Sequence, residues 1–512
     1  MPRPVSPAPI LAALLSAALA APASAQCDCD HVLDASVTVA DGPTLGVQPG
    51  DRVCVMGDRP FLRIQHFTGT AEAPITVLNC GGVVNIHNED RAYALVIEAE
   101  SEHVIVSGSG DASAFYGFRV SAPATTPYAA MGIWIQGRAT DIEVDHAEVF
   151  DTGFAGVMAK TDPQCEDAAA WPTFVQRNVH LHDLWVHDTG GEGFYIGSTQ
   201  AQGYPRTCGG TDVVFPPHFL DGIEVDHVLI EDTGWDGIQI GFARTGCSFH
   251  DSVVRRVGRR GEMYQEQGLQ IGTASACEVR RVDLRDGPAM GILVLESGDS
   301  LFADNLIARF AEDGIYANPR TAPVATWRFV HNTIVSPGGA GIRVFGDGGG
   351  EAVNNFTVGG TAAVQLPAGL TESHDVHADD VASAGFVGAD DFHLTDASPA
   401  RAAGEDRTTT GFAIDLDGQP RATPPSVGAY ELAADVPDVG PRADAGRPDA
   451  GVVARDVGPP STGTDGGAGA TPSAGGCGCR AGTRASSAMS ALLGLALVLM
   501  SAGRRGSRRR AS

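Results

Sequence analysis

Residues 132–159 read GIWIQGRATDIEVDHAEVFDTGFAGVMA. Gly132 opens an alternating run, Ile133-Trp134-Ile135. A second run follows, Ile142-Glu143-Val144-Asp145-His146, and an Asp151-Thr152-Gly153 turn leads to Gly156-Val157-Met158-Ala159, where the pattern restarts. Alternation with period two puts every second side chain on one face of a strand. A helical reading fails, because the apolar period is two and glycine interrupts about every ten residues.

The unit recurs along the chain. Gly193-Phe194-Tyr195-Ile196, Gly237-Ile238-Gln239-Ile240 and Gly268-Leu269-Gln270-Ile271 repeat its opening, as do Gly291-Ile292-Leu293-Val294, Gly314-Ile315-Tyr316-Ala317 and Gly341-Ile342-Arg343-Val344. The steps from Gly268 to Gly291 to Gly314 are 23 residues each, and longer steps carry insertions at 161–176 and 198–219. The second run recurs as Ile223-Glu224-Val225-Asp226-His227, with apolar pairs such as Val228 and Ile230 after it. Three short strands per coil, stacked coil on coil, bury one continuous core. The sequence therefore predicts an all-β solenoid.

These coils resemble the right-handed parallel β-helix repeats of the pectate-lyase-like superfamily. The opening, Pro49-Gly50-Asp51-Arg52-Val53 and then Ala73-Pro74-Ile75-Thr76-Val77, is similar to that of its members. So is the closing segment, Asp415-Leu416-Asp417-Gly418-Gln419-Pro420-Arg421 followed by Gly428-Ala429-Tyr430-Glu431. The resemblance covers roughly residues 30–434 and implies a fold more than a function.

The 512 residues carry a formal net charge of -27, which argues against a nucleic-acid partner. Residues 1–25 read as a signal peptide, with an apolar stretch from Ile10 to Ala21 and an Ala23-Ser24-Ala25 cleavage site. The β-helix with its terminal cap is expected over 26–434. A disordered Pro/Gly/Asp/Ala linker follows over 435–474. Residues 475–512 hold Gly476-Cys477-Gly478-Cys479, an apolar run from Ala488 to Ala502, and an arginine-rich end. That order resembles the myxobacterial C-terminal sorting signal (MYXO-CTERM), which implies recognition at Cys477 and Cys479 by a sorting protease. A plain short transmembrane helix is the alternative. Either way the expected location is the cell surface or outer membrane, with membrane contact through the tail. All ten cysteines lie after the signal peptide, so disulfides are expected: Cys54 with Cys80, Cys165 with Cys208, and Cys247 with Cys277, leaving Cys27 and Cys29 to each other. Metal binding by cysteine is the alternative reading.

Candidate site residues come from the outward positions. The residue two after each repeat glycine forms a column, Trp134, Met158, Tyr195, Gln239, Gln270, Leu293, Tyr316 and Arg343. Aromatic faces suit sugar rings, and Gln or Arg can bond hydroxyls or carboxylates, so Trp134, Tyr195, Gln239, Gln270, Tyr316 and Arg343 are the expected polysaccharide contacts. Ordinary packing is the competing reading. A second column, Phe150, His187, Glu231, Arg255, Arg285 and Arg309, reads either as a carboxylate binder or as self-screened surface charge. The stack at His146, Asp183, His227, Asp251, Asn305, Asn332 and Asn355 reads as turn capping.

For catalysis the candidate is Lys160, the chain's one lysine, as the base of a lyase or epimerase. Tyr195, Glu192, Asp236, Gln239 and Gln270 are expected beside it. The insertions wall the groove, and their Trp171, Tyr204 and His218 are expected to reach it. Glu192 and Asp236, with Asp188, Asp232 and Asp313 nearby, make calcium the candidate ion. The expected function is to bind an extracellular polysaccharide, with lyase or epimerase processing as an extension. The alternative is a non-catalytic surface adhesin or structural spike.

Overall fold

The computed structural model describes residues 27–123, 130–295, 298–320 and 326–432. The signal segment, the linker and the tail with Cys477 and Cys479 lie outside the described residues. No helix among those described is long and apolar enough to cross a membrane.

The inward positions of the repeat make the parallel ladder that the pattern predicts. Ile133 pairs with Val157, and the line continues through Phe194, Ile238, Leu269, Ile292 and Ile315 to Ile342. Each of these side chains is fully buried. Among the described residues this sheet has 12 strands, one per coil. The other two runs of each coil belong to a 20-stranded sheet that wraps the remaining sides. The result is a parallel β-helix, and crossovers between parallel strands of one sheet are right-handed as a rule.

Packing across the core explains the repeat glycine. A Cβ at Gly291 would lie 2.3 Å from Cγ2 of Ile307 on the facing sheet and 2.6 Å from the carbonyl oxygen of Gly314. Gly156 meets Val186 at the same distance. Each glycine makes room for a branched side chain from the opposite wall.

The corner between the second and third runs is one residue in the left-handed region. His146, Asp183, His227 and Asp251 have φ of 52°, 51°, 50° and 50°. The column then continues through Arg281, Asp304, His331 and Asn354. This corrects the expected stack. Asn305, Asn332 and Asn355 stand one position later, immediately before the next strand, and Val282, which pairs with Ser252, donates its N–H to Asn305 Oδ1. The capping reading holds for these three. Asn305 Nδ2 donates to the Val279 carbonyl at 3.0 Å and to Asn332 Oδ1 at 3.0 Å, and Asn332 and Asn355 repeat the arrangement.

Among the described residues there are four disulfides. Cys165–Cys208 and Cys247–Cys277 are as expected. The other two correct the reading: Cys29 bonds Cys54 and Cys27 bonds Cys80. The reason is register. Cys247 sits directly opposite Cys277, whereas Cys54 sits opposite Leu78 and faces Val32 on its other side. The N-terminal strand thus brings Cys29 within reach of Cys54.

After residue 378 the chain leaves the coils and folds back over the later ones. Phe392, Leu394, Val427, Ala429 and Tyr430 pack against Phe356 and Val358. Arg421 is fully buried, donates to Asp304 Oδ1 at 2.6 Å, and also reaches the Gly428 carbonyl. Asp415 accepts from the N–H groups of Gln419 and Glu431. The Asp415–Arg421 and Gly428–Glu431 motifs are therefore the fastening of this cap.

Candidate functional site

The first column is in register but mostly covered. Met158, Tyr195, Gln239, Gln270 and Leu293 are buried, while Trp134, Tyr316 and Arg343 are half-buried. Met131, Ala155, Met158 and Tyr195 form an apolar cluster with Trp134 and Phe154, outside the main core. Gln270 donates to Gln239 at 2.8 Å. Arg343 is paired with Asp313 at 3.0 Å, and Tyr316 lies against Phe345. Packing, the competing reading, describes the middle of this column.

Of its expected neighbours, Lys160 meets Tyr195 and acts on Glu192, while Asp236 lies within reach of Glu192, and Gln239 and Gln270 continue the column beyond Tyr195. The Lys160 Nζ is 4.7 Å from the centre of the Tyr195 ring, 5.8 Å from that of Tyr204, and 3.0 Å from Asp162 Oδ1. Lys160 is 7% exposed, and His218 accepts from the backbone N–H of the adjoining Thr161. Trp171 does not join them. It is 40% exposed, packs on Phe219 and carries the Arg244 guanidinium over its face. The Cys165–Cys208 disulfide ties the two insertions together beside this chamber.

The electrostatics of the chamber follow from its burial. Burial opposes the charge on Lys160, yet Tyr195 and Asp162 hold its pKa well above the ordinary value. Burial pushes the Glu192 carboxyl up to about 7 against the pull of Lys160. Burial also raises Asp236 strongly, with Glu192 and Glu266 adding to the shift. His218 is driven down to about 4 by burial. Glu192 Oε2 and Asp236 Oδ2 are buried without a hydrogen-bond partner. Such a cluster of shifted groups is the usual company of an active site. A covered, protonated lysine is nevertheless a poor base. The pair also falls short of a calcium site, which takes six to eight oxygens. Neither residue belongs to a converging set of three ligands among the described residues.

The second column resolves into ion pairs. Phe150, His187, Glu231, Arg255 and Arg285 are in register, but Arg285 faces Ala308, so Arg309 is one position off. Arg255 donates to Glu231 at 2.7 Å, Arg285 to Asp283 at 2.6 Å and Arg309 to Asp286 at 2.6 Å. Self-screening is the reading that fits.

The open part of the surface was not singled out by the repeat. On the outward side of the 20-stranded sheet, His180 lies between Glu143 and Glu224, and His182 between Asp145 and Asp226. A groove of about 490 Å³ runs along this flank past Asp141, Glu143, His180, Glu224 and Ser248. The His180 and His182 rings stack at 4.2 Å. Burial works against a charge on His182, but hydrogen bonds to Glu143 and Asp183 raise its pKa to about 9.

Around the corner lies a band of half-buried rings. Phe115 is 4.8 Å from His146, Tyr116 is 6.1 Å from Trp185, Trp185 is 4.2 Å from His187, and His187 stacks on Phe150 at 5.6 Å. Trp185 Nε1 donates to Glu231 at 3.0 Å, which fixes the indole. Coil alignment could have found this flank, since Glu-x-Asp, His-x-His, Glu-x-Asp and Ser-x-His succeed one another at the same positions.

The fold and this flank define the class: a parallel β-helix with a polar, aromatic flank. No protein-family profile matches the chain, and no curated protein matches it. Solved structures do. The pectate lyase Pel9A has 12% identity and a TM-score of 0.49, with 80% of this chain and 98% of that one covered. An alginate lyase from Paenibacillus sp. str. FPU-7 has 15% identity and a TM-score of 0.35, with 67% and 99% covered. A GH136 lacto-N-biosidase from Eubacterium ramulus has 12% identity and a TM-score of 0.40, with 68% of each chain covered. These likenesses accompany the topology already described and decide nothing about chemistry.

Proposed function

We propose that this protein is an exported β-helix, held at the cell surface by its C-terminal tail, that binds an extracellular polysaccharide along its open flank. Phe115, Tyr116, Phe150 and Trp185 serve as platforms for sugar rings. Glu143, His180 and Glu224 in the adjoining groove bond hydroxyl groups. The observation that carries this reading is the band of half-buried rings beside the polar groove, because aromatic faces with a few fixed polar groups suit a sugar's mixed surface. In this reading binding is the activity, as in an adhesin.

A lyase or epimerase reading centred on Lys160 draws support from one observation. Lys160 lies against Tyr195 and acts on Glu192, Glu192 in turn acts on Asp236, and the ionisations of Lys160, Glu192 and Asp236 are strongly shifted. This reading requires the two insertions to open and the lysine to lose its proton.

One experiment separates the two. The full chain is incubated with neutral and acidic polysaccharides, and both binding and ultraviolet absorbance from unsaturated uronate are followed. Binding that falls in Trp185→Ala and Tyr116→Ala, with no absorbance rise, supports the binding reading. Absorbance that rises and is lost in Lys160→Ala replaces it with the lyase. Binding untouched by both aromatic variants overturns the assignment of the flank.

A further inference from the structure

We propose that Glu143, His180 and His182 bind a divalent first-row transition-metal ion of the zinc type. This inference shares Glu143 and His180 with the proposed sugar groove, but its test uses the metal alone and no polysaccharide.

The donors come from two adjacent strands. His180 and His182 are two residues apart on Val175–Thr189 and so point to the same side. Glu143, on Thr140–Thr152, lies directly opposite His180. One ligand atom from each of the three lies within 4.8 Å of the others. Two imidazoles and one carboxylate are a donor set that zinc accepts, with the remaining positions open to water or ligand. The groove beside Glu143 and His180 supplies that opening.

The second observation is the support behind each histidine. Asp226 Oδ2 is 2.7 Å from Nε2 of His180, and Asp183 Oδ2 is 2.8 Å from Nδ1 of His182. A metal-binding histidine characteristically gives its other ring N–H to a carboxylate, which fixes the tautomer and the ring. Here both rings have such a carboxylate. With protons on Nε2 of His180 and Nδ1 of His182, the nitrogens left for an ion are Nδ1 of His180 and Nε2 of His182. The latter is 3.3 Å from Glu143 Oε1. A neighbouring set, His180 with Glu224 and Asp226, also converges within 4.8 Å. It shares His180 and would use Asp226 as a ligand instead of a support.

The test is calorimetric titration of Zn(II) into the full chain, first stripped with a chelator. The chain carries Cys477→Ser and Cys479→Ser so that tail thiols take up no metal. The expected result is one equivalent bound, lost in His180→Asn and in His182→Asn. Asp183→Asn should weaken it about 10- to 100-fold. Glu143→Gln, at a half-exposed position, should lower affinity with the thermal midpoint unchanged, which keeps the test valid if a histidine variant misfolds. Glu224→Gln should leave binding as it is. Absence of zinc binding, binding that survives His182→Asn, or loss in Glu224→Gln with none in Glu143→Gln overturns the assignment.

Discussion

The ammonium group of Lys160 sits 4.7 Å above the Tyr195 ring, in a chamber that the repeat itself brings together and two insertions close. That contact makes the lysine a structural cation in this state. Asp162 is its ion-pair partner and is about one-third exposed, so part of the interaction is screened by water. Lys160→Ala should therefore cost about 1–3 kcal/mol of stability, read from urea unfolding, with polysaccharide binding retained. A variant as stable as the parent would contradict this.

Glu192 provides a test by pH. Its carboxyl loses its proton near 4.5 when unfolded but only near 7 when folded. Between those values the folded state holds the extra proton, so this group's contribution to stability falls as pH rises and is fully unfavourable above about 7. Glu192→Gln should leave the unfolding free energy, read from urea unfolding, nearly unchanged at pH 5 and raise it at pH 8, by on the order of 3 kcal/mol at most. An equal effect at both pH values would show that the carboxyl is not so shifted.

The C-terminal cap responds in a higher range. His393 lies 2.6 Å from Asp417, which together with Asp391 raises its pKa to about 9. Its stabilisation is complete below the unfolded value of 6.5 and is lost as pH rises through about 9. The gap in thermal midpoint between the parent and His393→Gln should be widest near pH 6 and vanish by pH 10. A gap that persists at pH 10 would rule out the ion pair as its cause.

Peptide mapping of the oxidised chain should recover Cys29 linked to Cys54 and Cys27 linked to Cys80, with no Cys54–Cys80 peptide. Replacing both Cys29 and Cys54 by serine should lower stability by about 2–4 kcal/mol. A Cys54–Cys80 peptide would mean that the N-terminal strand pairs differently.

The solenoid was legible because glycine and branched residues leave the same mark in every coil. The approach of Gly291 to Ile307 is a contact of the kind each repeat makes. The gathering of Lys160, Tyr195 and Glu192 was legible for the same reason, since register follows from repeat position. What the pattern could not express was cover. Tyr195 and Met158 alternate outward as Trp134 does, and nothing in a period-two pattern says that a second layer lies over them. The corner was misplaced by one residue in the later coils because His, Asp, Arg and Asn all occupy the left-handed position there. Arg281 and Asp304 therefore did not mark it. The open flank escaped notice because acid and imidazole exchange places from coil to coil. Glu143, His180 and Glu224 form one column without repeating one residue type.

Whether the open flank binds sugar is decided by polysaccharide binding of the full chain measured beside Trp185→Ala and Tyr116→Ala. Each aromatic variant should keep the parent's fold and lose affinity about tenfold or more on the same polysaccharide, while Lys160→Ala should bind as the parent does. Affinity unchanged in both aromatic variants would contradict sugar binding by the flank.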